Sequence, residues 1–435
     1  MTNEFVGLAY ICSGLLLVAF NIPIGISLGL VSFAGIAHML SGQAAFSIVV
    51  SAPFNLIGNW NFSAVPMFLL MGFVCTDARL TDGLFRFLRI ILVKLPGNLA
   101  IASVGACALF AAASGSSVAT SSAMAKIATP EMLKYKYDKG LATGVIAASG
   151  TLGSLIPPSI VMIILGVTAN VPIGSLFIAG IIPGIMSAML YAAMIIIRTM
   201  LNPSLAPPSE DSFSFHDFKQ SLKEIWPLPM LIVIVIGGIF FGFFSPTAAG
   251  SVGAFFSIVI AFLKRSYNLS LLRVSTVKAL EGTASIFVIM IGTDLLTRML
   301  AVSGLPDLLT DVIISNNLST IGFIFAVGVV YLILGMFIDS IGILLLTLPL
   351  IVPIMEPMGI NMIWAGILLV KMLEIGMITP PVGLNVYVIK GAVGETISLH
   401  TIFQGVIWFL VTDVLTLLIL VAFPAITLYL PNLAQ

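Results

Sequence analysis

Long apolar runs separated by short polar segments make up most of the chain. A helix needs about 20 predominantly apolar residues to cross the hydrocarbon core of a bilayer. Runs of this kind lie near residues 4–20, 22–40, 54–75, 141–165, 172–197, 227–244, 247–263, 283–303, 361–388 and 404–430. The pattern predicts that these runs are membrane-spanning helices and that the chain is an all-α polytopic membrane protein.

Two further apolar runs, near residues 98–128 and 318–354, are too long for single spanning helices. Small or polar residues interrupt each run, Ser114-Gly115-Ser116-Ser117 in the first and Asp339-Ser340 in the second. Irregular backbone at membrane depth is tolerated only where it is buried in protein or lines a cavity. We therefore predict that both runs form re-entrant helical hairpins.

The placement of basic residues predicts how the hairpins are oriented. Lys and Arg flank the first hairpin on both sides, for example at Arg89 and Lys134, whereas residues 304–318 and 353–362 around the second contain neither. Basic residues accumulate in cytoplasmic loops. The first hairpin is expected to enter from the cytoplasm and the second, next to Glu356, from the opposite face.

An internal repeat connects the two halves of the chain at one constant offset, the offset from Ser117 to Ser340. The other matching residues are Pro23 with Pro246, Pro130 with Pro353, Met132 with Met355, and Pro157-Pro158 with Pro380-Pro381. The offset divides the chain into repeats 1–225 and 226–435, each with five spans and a hairpin. An odd number of spans inverts the second repeat, which is the architecture of many secondary transporters.

Composition excludes several classes of protein. The 435 residues are 59% hydrophobic and 8% charged, whereas soluble domains are roughly 25% charged. A net charge of zero provides no basic surface for nucleic acid. The phosphate-binding pattern GxxxxGK[ST] does not occur, which argues against an ATP-driven pump. An intramembrane serine hydrolase is disfavoured because no His or Lys lies near the hairpin breaks to act as a base.

The Pro-Pro pairs are expected to break the helices at 141–165 and 361–388. Proline removes a backbone donor, so the helix unwinds and exposes carbonyl oxygens on one side and amides on the other. Carbonyl oxygens suit sodium, and amides suit a carboxylate. The predicted sodium ligands, mostly backbone carbonyls, are Ala112, Gly115, Gly153, Ile156, Gly335, Ile338, Asp339, Gly376 and Thr379. The predicted substrate ligands are Ser114, Ser116, Ser117, Ser159, Ser340 and Asn385. The alternative is that these small residues only permit close helix packing.

Charged residues inside the predicted spans need partners, because an isolated charge is costly there. Asp294 with Arg298, four residues apart, and Lys371 with Glu374, three apart, can each form an ion pair on one helix face. Asp339 has no local partner and is interpreted as a cation-side or hinge-capping group. No partner is visible for Asp413, and no role is assigned to it.

Taken together, these motifs closely resemble the large membrane subunit of the tripartite ATP-independent periplasmic (TRAP, DctM-like) transporters over essentially the whole chain. The resemblance is carried by Ser114-Gly115-Ser116-Ser117, the segment Gly153 to Ser159, Asp339-Ser340 with Leu346-Thr347-Leu348-Pro349, and the segment Glu374 to Asn385. In one departure, Ala248 follows Ser245-Pro246-Thr247 where many relatives carry Glu, so any role of that Glu is absent here.

The resemblance implies an elevator-type permease of the bacterial inner membrane, driven by a sodium gradient and requiring no other cofactor. It implies two partners, a small membrane subunit and a periplasmic substrate-binding protein. An organic acid is the expected substrate, with C4-dicarboxylates first and sugar acids such as sialic acid second. A stand-alone sodium/dicarboxylate symporter of related architecture is the alternative.

Overall fold

The computed structural model describes residues 3–207, 214–265 and 267–433, and these residues contain helices and no strands. In the first half the α-helices are α1 Asn3–Ala19, α2 Ile24–Met39, α3 Gly42–Ile57, α4 Ala64–Asp77, α5 Asp82–Ile91, α6 Asn98–Ser114, α7 Ser117–Lys134, α8 Lys139–Leu155, α9 Ile160–Thr168, α10 Ile173–Leu201 and α11 Phe215–Ile225. The prediction of an all-α protein is confirmed.

The second half is also helical, with one π-helical turn at Val233–Gly237 between α12 and α13. Its α-helices are α12 Pro227–Ile232, α13 Gly238–Phe240, α14 Pro246–Leu263, α15 Leu269–Ser303, α16 Leu305–Ser315, α17 Thr320–Gly335, α18 Ser340–Met355, α19 Met362–Ile378, α20 Leu384–Val393, α21 Leu399–Ala422 and α22 Pro424–Leu433. Short 3₁₀ turns occupy Trp60–Ser63, Pro203–Leu205 and Gly394–Thr396.

Helix bounds in the two halves follow the offset found in the sequence. Helix α7 begins at Ser117 and α18 at Ser340, and the bounds of α8 and α19 are separated by the same offset at both ends. The residues that cap these helices correspond as well. Asp138 caps α8 through the amide of Leu141, and Asn361 caps α19 through the amides at positions 363 and 364. Short polar side chains therefore start equivalent helices in both halves.

With α8 and α9 counted as one stretch, five of the described helical segments are long and apolar enough to cross a membrane, or seven if each of two bent helix pairs is one span. Helices of 10–17 residues, among them α1, α2, α6, α17 and α18, make up further apolar segments. The two predicted hairpins have the expected form, since α6 and α7 are joined by Gly115-Ser116, and α17 and α18 by residues 336–339. The first hairpin continues to Lys134, beyond the predicted end at 128.

Several predicted spans differ from the structure at their ends. The predicted span 54–75 is wrong in its first part, because the chain bends by 57° after α3 and the next helical turn starts at Trp60. Helix α15 is 35 residues long and begins at Leu269, well before the predicted start at 283, since its first turns are helical but polar. The predicted span 404–430 ends at Ala422, before Pro424 starts α22.

The core lies around the two broken helices. Every residue of α8 from Gly140 to Leu155 is buried, and α6, α7, α19 and α21 pack around it. A second group of helices, α2, α4, α14 and α15, packs mainly within itself. The amphipathic helix α5 packs on α11. The broken helices and hairpins are thus held in the most enclosed part of the molecule.

Candidate ion and substrate site

In the first half, the tip of the hairpin is docked against the broken helix. Gly115 turns the chain with φ +60°, and a Cβ added to it would lie 2.8 Å from the carbonyl oxygen of Pro158. The amide of Ile160 donates to the carbonyl oxygen of Gly115 at 3.3 Å. Only glycine combines this conformation with so close an approach. The hairpin turn and the Pro-Pro break therefore form one junction.

Gly153 of α8 also packs against the hairpin tip at this junction. A Cβ at Gly153 would meet the carbonyl carbon of Ser116 at 2.8 Å and the amide nitrogen of Ser117 at 2.9 Å. The hydroxyl of Ser117 lies 2.6 Å from that of Ser154 and donates to the carbonyl oxygen of Thr151 at 3.2 Å. Ser117 thus joins two helices, while the hydroxyl of Ser114 lies 2.9 Å from that of Thr120.

The second half contains an equivalent junction made by two glycines. A Cβ on Gly335 would lie 2.6 Å from the Cα of Gly376, and one on Gly376 would lie 2.7 Å from the Cα of Gly335. The amide of Gly383 donates to the carbonyl oxygen of Met336 at 3.3 Å. As in the first half, a hairpin tip is hydrogen-bonded to a Pro-Pro break, and both Pro-Pro bonds are cis.

The predicted unwinding is present at both breaks. Helix α8 ends at Leu155 and α9 begins at Ile160, while α19 ends at Ile378 and α20 begins at Leu384. The carbonyl oxygen of Gly376 accepts the amide of Thr379 at 3.1 Å, and the Thr379 hydroxyl donates to the carbonyl oxygen of Ile375 at 2.6 Å. Each break therefore leaves backbone groups outside regular helix.

Three polar residues of the predicted site act as helix caps. Ser116 caps α7, accepting the amide of Ala119 at 3.4 Å, and Ser159 caps α9, accepting the amide of Met162 at 3.4 Å. Asp339 caps α18, and its Oδ2 accepts the amides at positions 341 and 342 at 3.1 and 3.2 Å. Asp339 is therefore the N-cap of α18, and its predicted cation-side or hinge-capping role stays a prediction.

The predicted sodium ligands gather at the two junctions. Gly335 and Gly376 are in backbone contact, and Gly115 and Gly153 contact the backbone of neighbouring elements of the same junction. The other five predicted ligands lie at helix ends: Ala112 in the last turn of α6, Ile156 and Thr379 just after α8 and α19, and Ile338 and Asp339 just before α18. A Cβ would not fit between these backbones, so the two elements of each junction approach more closely than larger residues would allow.

Asn385 connects the second break to the first half. It is fully buried on α20, and its Nδ2 donates to the carbonyl oxygen of Ala147 on α8 at 3.4 Å. Its Oδ1 is buried and has no hydrogen-bond partner. Helix α20 packs against α7, and α9 packs against α18, so each half-helix after a break contacts the hairpin of the other half. Ser340, also mostly buried, starts α18 on that surface.

A buried ionic cluster lies beside the second junction and corrects the interpretation of Asp413. The ammonium of Lys371 is 2.6 Å from Asp413 Oδ1 and 3.0 Å from Glu374 Oε2, and all three side chains are inaccessible to solvent. The hydroxyl of Tyr191 donates to Asp413 Oδ1 at 2.6 Å. The predicted Lys371–Glu374 pair is therefore confirmed, but Asp413 has two partners that sequence spacing did not indicate.

A polar cavity of about 270 Å³ lies between α3, α9, α15 and α18. Asn55, Asn59, Thr293 and Asp294 contribute polar groups to its lining. The predicted ion pair of α15 is also confirmed there, with Arg298 Nε at 2.9 Å from Asp294 Oδ2. The cavity lies where the second group of helices meets α9 and α18.

Known proteins are similar to this chain over nearly its whole length. The family model of the DctM component of the tripartite ATP-independent periplasmic transporters matches residues 11–426. A C4-dicarboxylate TRAP transporter large permease protein of Vibrio cholerae serotype O1 is 33% identical, covering 95% of this chain and 94% of that protein. A sialic acid TRAP transporter large permease protein of the same organism is 30% identical, with 95% of each chain covered.

Among solved structures, the YdaH transporter of Alcanivorax borkumensis has a similar fold. Its TM-score is 0.60 at 14% sequence identity, over 89% of both chains. That likeness concerns the fold alone. Because the family model covers the two hairpins, both Pro-Pro breaks and the buried cluster, the chain belongs to the DctM component family of the tripartite ATP-independent periplasmic transporters.

Proposed function

We propose that this chain is the large membrane subunit of a transporter that imports an organic acid, coupled to a sodium gradient. The observation that carries the proposal is the pair of similarly built junctions, Gly115 with Pro158 and Gly335 with Gly376, in which a hairpin tip meets a broken helix. Broken helices at mid-depth are where secondary transporters bind substrate and coupling ions. Family membership supports the same function.

For the coupling ion, we propose sodium sites at both junctions. The ligands are carbonyl oxygens of the residues named above, with Ala112, Gly115, Gly153 and Ile156 at the first junction. The second site uses Gly335, Ile338, Gly376 and Thr379, with Asp339 supplying a negative charge nearby. Carbonyl oxygens at the ends of half-helices carry partial negative charge, which favours a cation.

For the substrate, we propose a carboxylate bound where the half-helices begin. Helices α7 and α9 start here, at Ser117 and Ile160, and the first amides of a helix favour an anion. Two first-turn amides of α18 are already bound by the Asp339 carboxylate. The proposed substrate ligands are Ser114, Ser116, Ser117, Ser159, Ser340 and Asn385. Asn385 adds a buried amide whose oxygen is unpaired, so it can orient a bound polar group.

The names of the relatives support the proposed class of substrate. Their names include C4-dicarboxylate, sialic acid and ectoine transporters. We propose that this chain transports an organic acid, with a C4-dicarboxylate first and a sugar acid such as sialic acid second. The partners are a small membrane subunit and a periplasmic binding protein, and the complex lies in the bacterial inner membrane.

The transport movement that we propose is an elevator. Helices α6–α9 and α17–α20 enclose the junctions and move together against the group formed by α2, α4, α14 and α15. The moving group takes two alternative positions, one open to each side of the membrane. The inversion of repeat 1–225 relative to repeat 226–435 makes these two positions possible. The polar cavity beside Asp294 lies at the boundary between the two groups.

Reconstitution in proteoliposomes tests the proposed assembly. The chain is reconstituted with the small membrane subunit, and the periplasmic binding protein loaded with radiolabelled substrate is added outside. We expect uptake only when all three proteins are present. Undiminished uptake by this chain without the binding protein would favour the stand-alone symporter instead.

A further inference from the structure

An apolar groove of about 520 Å³ lies between α10 and α21, away from the two junctions. Ile197 and Leu201 of α10 and Val411 and Leu415 of α21 line it, and all four side chains are about half exposed or more. In a bilayer these side chains face the acyl chains of lipids. The groove can therefore accommodate a hydrocarbon chain along the two helices.

At one end of this groove lies the guanidinium of Arg198, which has a nitrogen without a hydrogen-bond partner. Arg198 lies in the last turn of α10, with its guanidinium over the ring of Trp408 at 5.4 Å from the centroid. Its Nη1 is buried and has no hydrogen-bond partner. Leaving a charged donor unsatisfied costs more than leaving a neutral one. The Arg198 side chain as a whole is only partly buried, so an anionic oxygen can approach the outer part of its guanidinium.

The neighbouring carboxylate does not supply that oxygen. Asp138 interacts electrostatically with Arg198, but its Oδ1 caps α8 by accepting the amide of Leu141 at 2.9 Å. Within the described part of the chain, no carboxylate forms an ion pair with Arg198. The guanidinium is therefore available to an external acceptor.

Arg198 and Trp408 are residue types that often lie at the level of the lipid headgroups. Tryptophan is enriched at membrane interfaces, and arginine near helix ends extends its charge toward the headgroups. A phosphate accepts charge-assisted hydrogen bonds from arginine. We propose that the groove binds an acyl chain of a membrane phospholipid and that Arg198 holds its phosphate.

Native mass spectrometry of the delipidated full chain tests this site. Phosphatidylglycerol and diacylglycerol with the same acyl chains are the two probes. We expect tighter binding of phosphatidylglycerol, and Arg198→Ala should weaken that binding about tenfold, the effect of losing one charge-assisted hydrogen bond. Diacylglycerol binding should not change. Arg273→Ala, which alters an exposed arginine on α15, is the matched control and should behave as wild type.

A second variant tests the groove independently of the charge. Leu415→Trp fills the groove and leaves Arg198 in place, so it should weaken binding of both lipids. Equal affinity of the wild-type chain for the two lipids would overturn the proposal, and this comparison needs no variant. Wild-type binding of phosphatidylglycerol by either folded Arg198→Ala or folded Leu415→Trp protein would also overturn it.

Discussion

At the scale of single residues, Gly376 offers the sharpest test of the second junction. A Cβ at this position would lie 2.7 Å from the Cα of Gly335. Gly376→Ala therefore has to separate the hairpin from the broken helix, and overpacking of this kind costs about 1–3 kcal/mol. We expect a lower unfolding temperature and a higher sodium concentration for half-maximal uptake. Thermal unfolding and a sodium titration of uptake measure the two effects.

The chain provides matched controls for this substitution. Gly153→Ala should behave like Gly376→Ala, because its Cβ would lie 2.8 Å from the carbonyl carbon of Ser116. Gly391→Ala should leave the sodium dependence unchanged and should not lower the unfolding temperature, since beyond its own helix backbone and chain neighbours nothing lies within 4 Å of the added Cβ and alanine favours a helix over glycine. If Gly376→Ala loses stability but keeps the wild-type sodium dependence in the folded fraction, the glycines serve packing alone.

Two substitutions at Asp339 distinguish a role in helix capping from a role in sodium binding. Asparagine caps helices about as well as aspartate, so Asp339→Asn should retain the stability of α18. The loss of negative charge should raise the sodium concentration required for half-maximal uptake. Asp339→Ala should in addition lower stability by about 1 kcal/mol, because the two amide hydrogen bonds are lost. Unchanged sodium dependence in Asp339→Asn would leave Asp339 only its capping role.

Among the charged residues, we expect replacement of Lys371 to lower the stability of the protein most. Lys371→Met leaves the carboxylates of Glu374 and Asp413 buried without their cation, and breaking a buried pair in this way costs about 3–5 kcal/mol. Arg298→Met removes a partly exposed pair and should cost about 1 kcal/mol or less. Thermal unfolding of both purified variants makes the comparison. Equal losses would mean that the buried cluster is not a major source of stability.

Residue-level prediction from sequence succeeded where partners are close in the chain. The pairs Asp294–Arg298 and Lys371–Glu374 are one helical turn apart, so spacing alone indicates them. Asp413 lies 42 residues from Lys371 and 222 from Tyr191, and its partners depend on how α10, α19 and α21 pack. No local pattern carries that information.

At the scale of elements, the orientation of the two hairpins can be tested by chemical labelling. Lys134 ends the first hairpin and Glu356 follows the second, and both side chains are exposed. Lys134→Cys should react with an impermeant thiol reagent only from the cytoplasmic side, and Glu356→Cys only from the periplasmic side. Cys12, which is exposed, is first replaced by serine, whereas Cys75 and Cys107 are buried. Labelling of both sites from the same side would refute the inverted repeat.

Helix breaks could be predicted from sequence where proline pairs or polar tips mark them. Pro157-Pro158 and Pro380-Pro381 identified both broken helices because proline cannot donate within a helix. The break between α3 and α4 was missed, although Asn55, Gly58, Asn59, Asn61 and Ser63 interrupt the apolar run there, because no proline pair marks it. Helix α16 was also missed, because it is short and lies between two longer apolar segments.

At the scale of the whole molecule, the class of protein could be predicted from the sequence, whereas the packing of the two halves against each other could not. Apolar runs and the constant offset between the two halves predicted two hairpins and two broken helices. Contact between α20 and α7, and between α9 and α18, could not be predicted, because it depends on how the two halves fit together. That contact brings Asn385 to α8, where its Nδ2 donates to the carbonyl oxygen of Ala147.

The most direct test of the account is the dependence of uptake on the sodium gradient. Proteoliposomes containing the complete transporter are diluted into sodium or potassium buffer, with the membrane potential fixed and with substrate-loaded binding protein outside. The account predicts concentrative uptake when an inward sodium gradient is present, and its loss when potassium replaces sodium on both sides. Undiminished concentrative uptake in potassium would contradict sodium coupling at the two junctions.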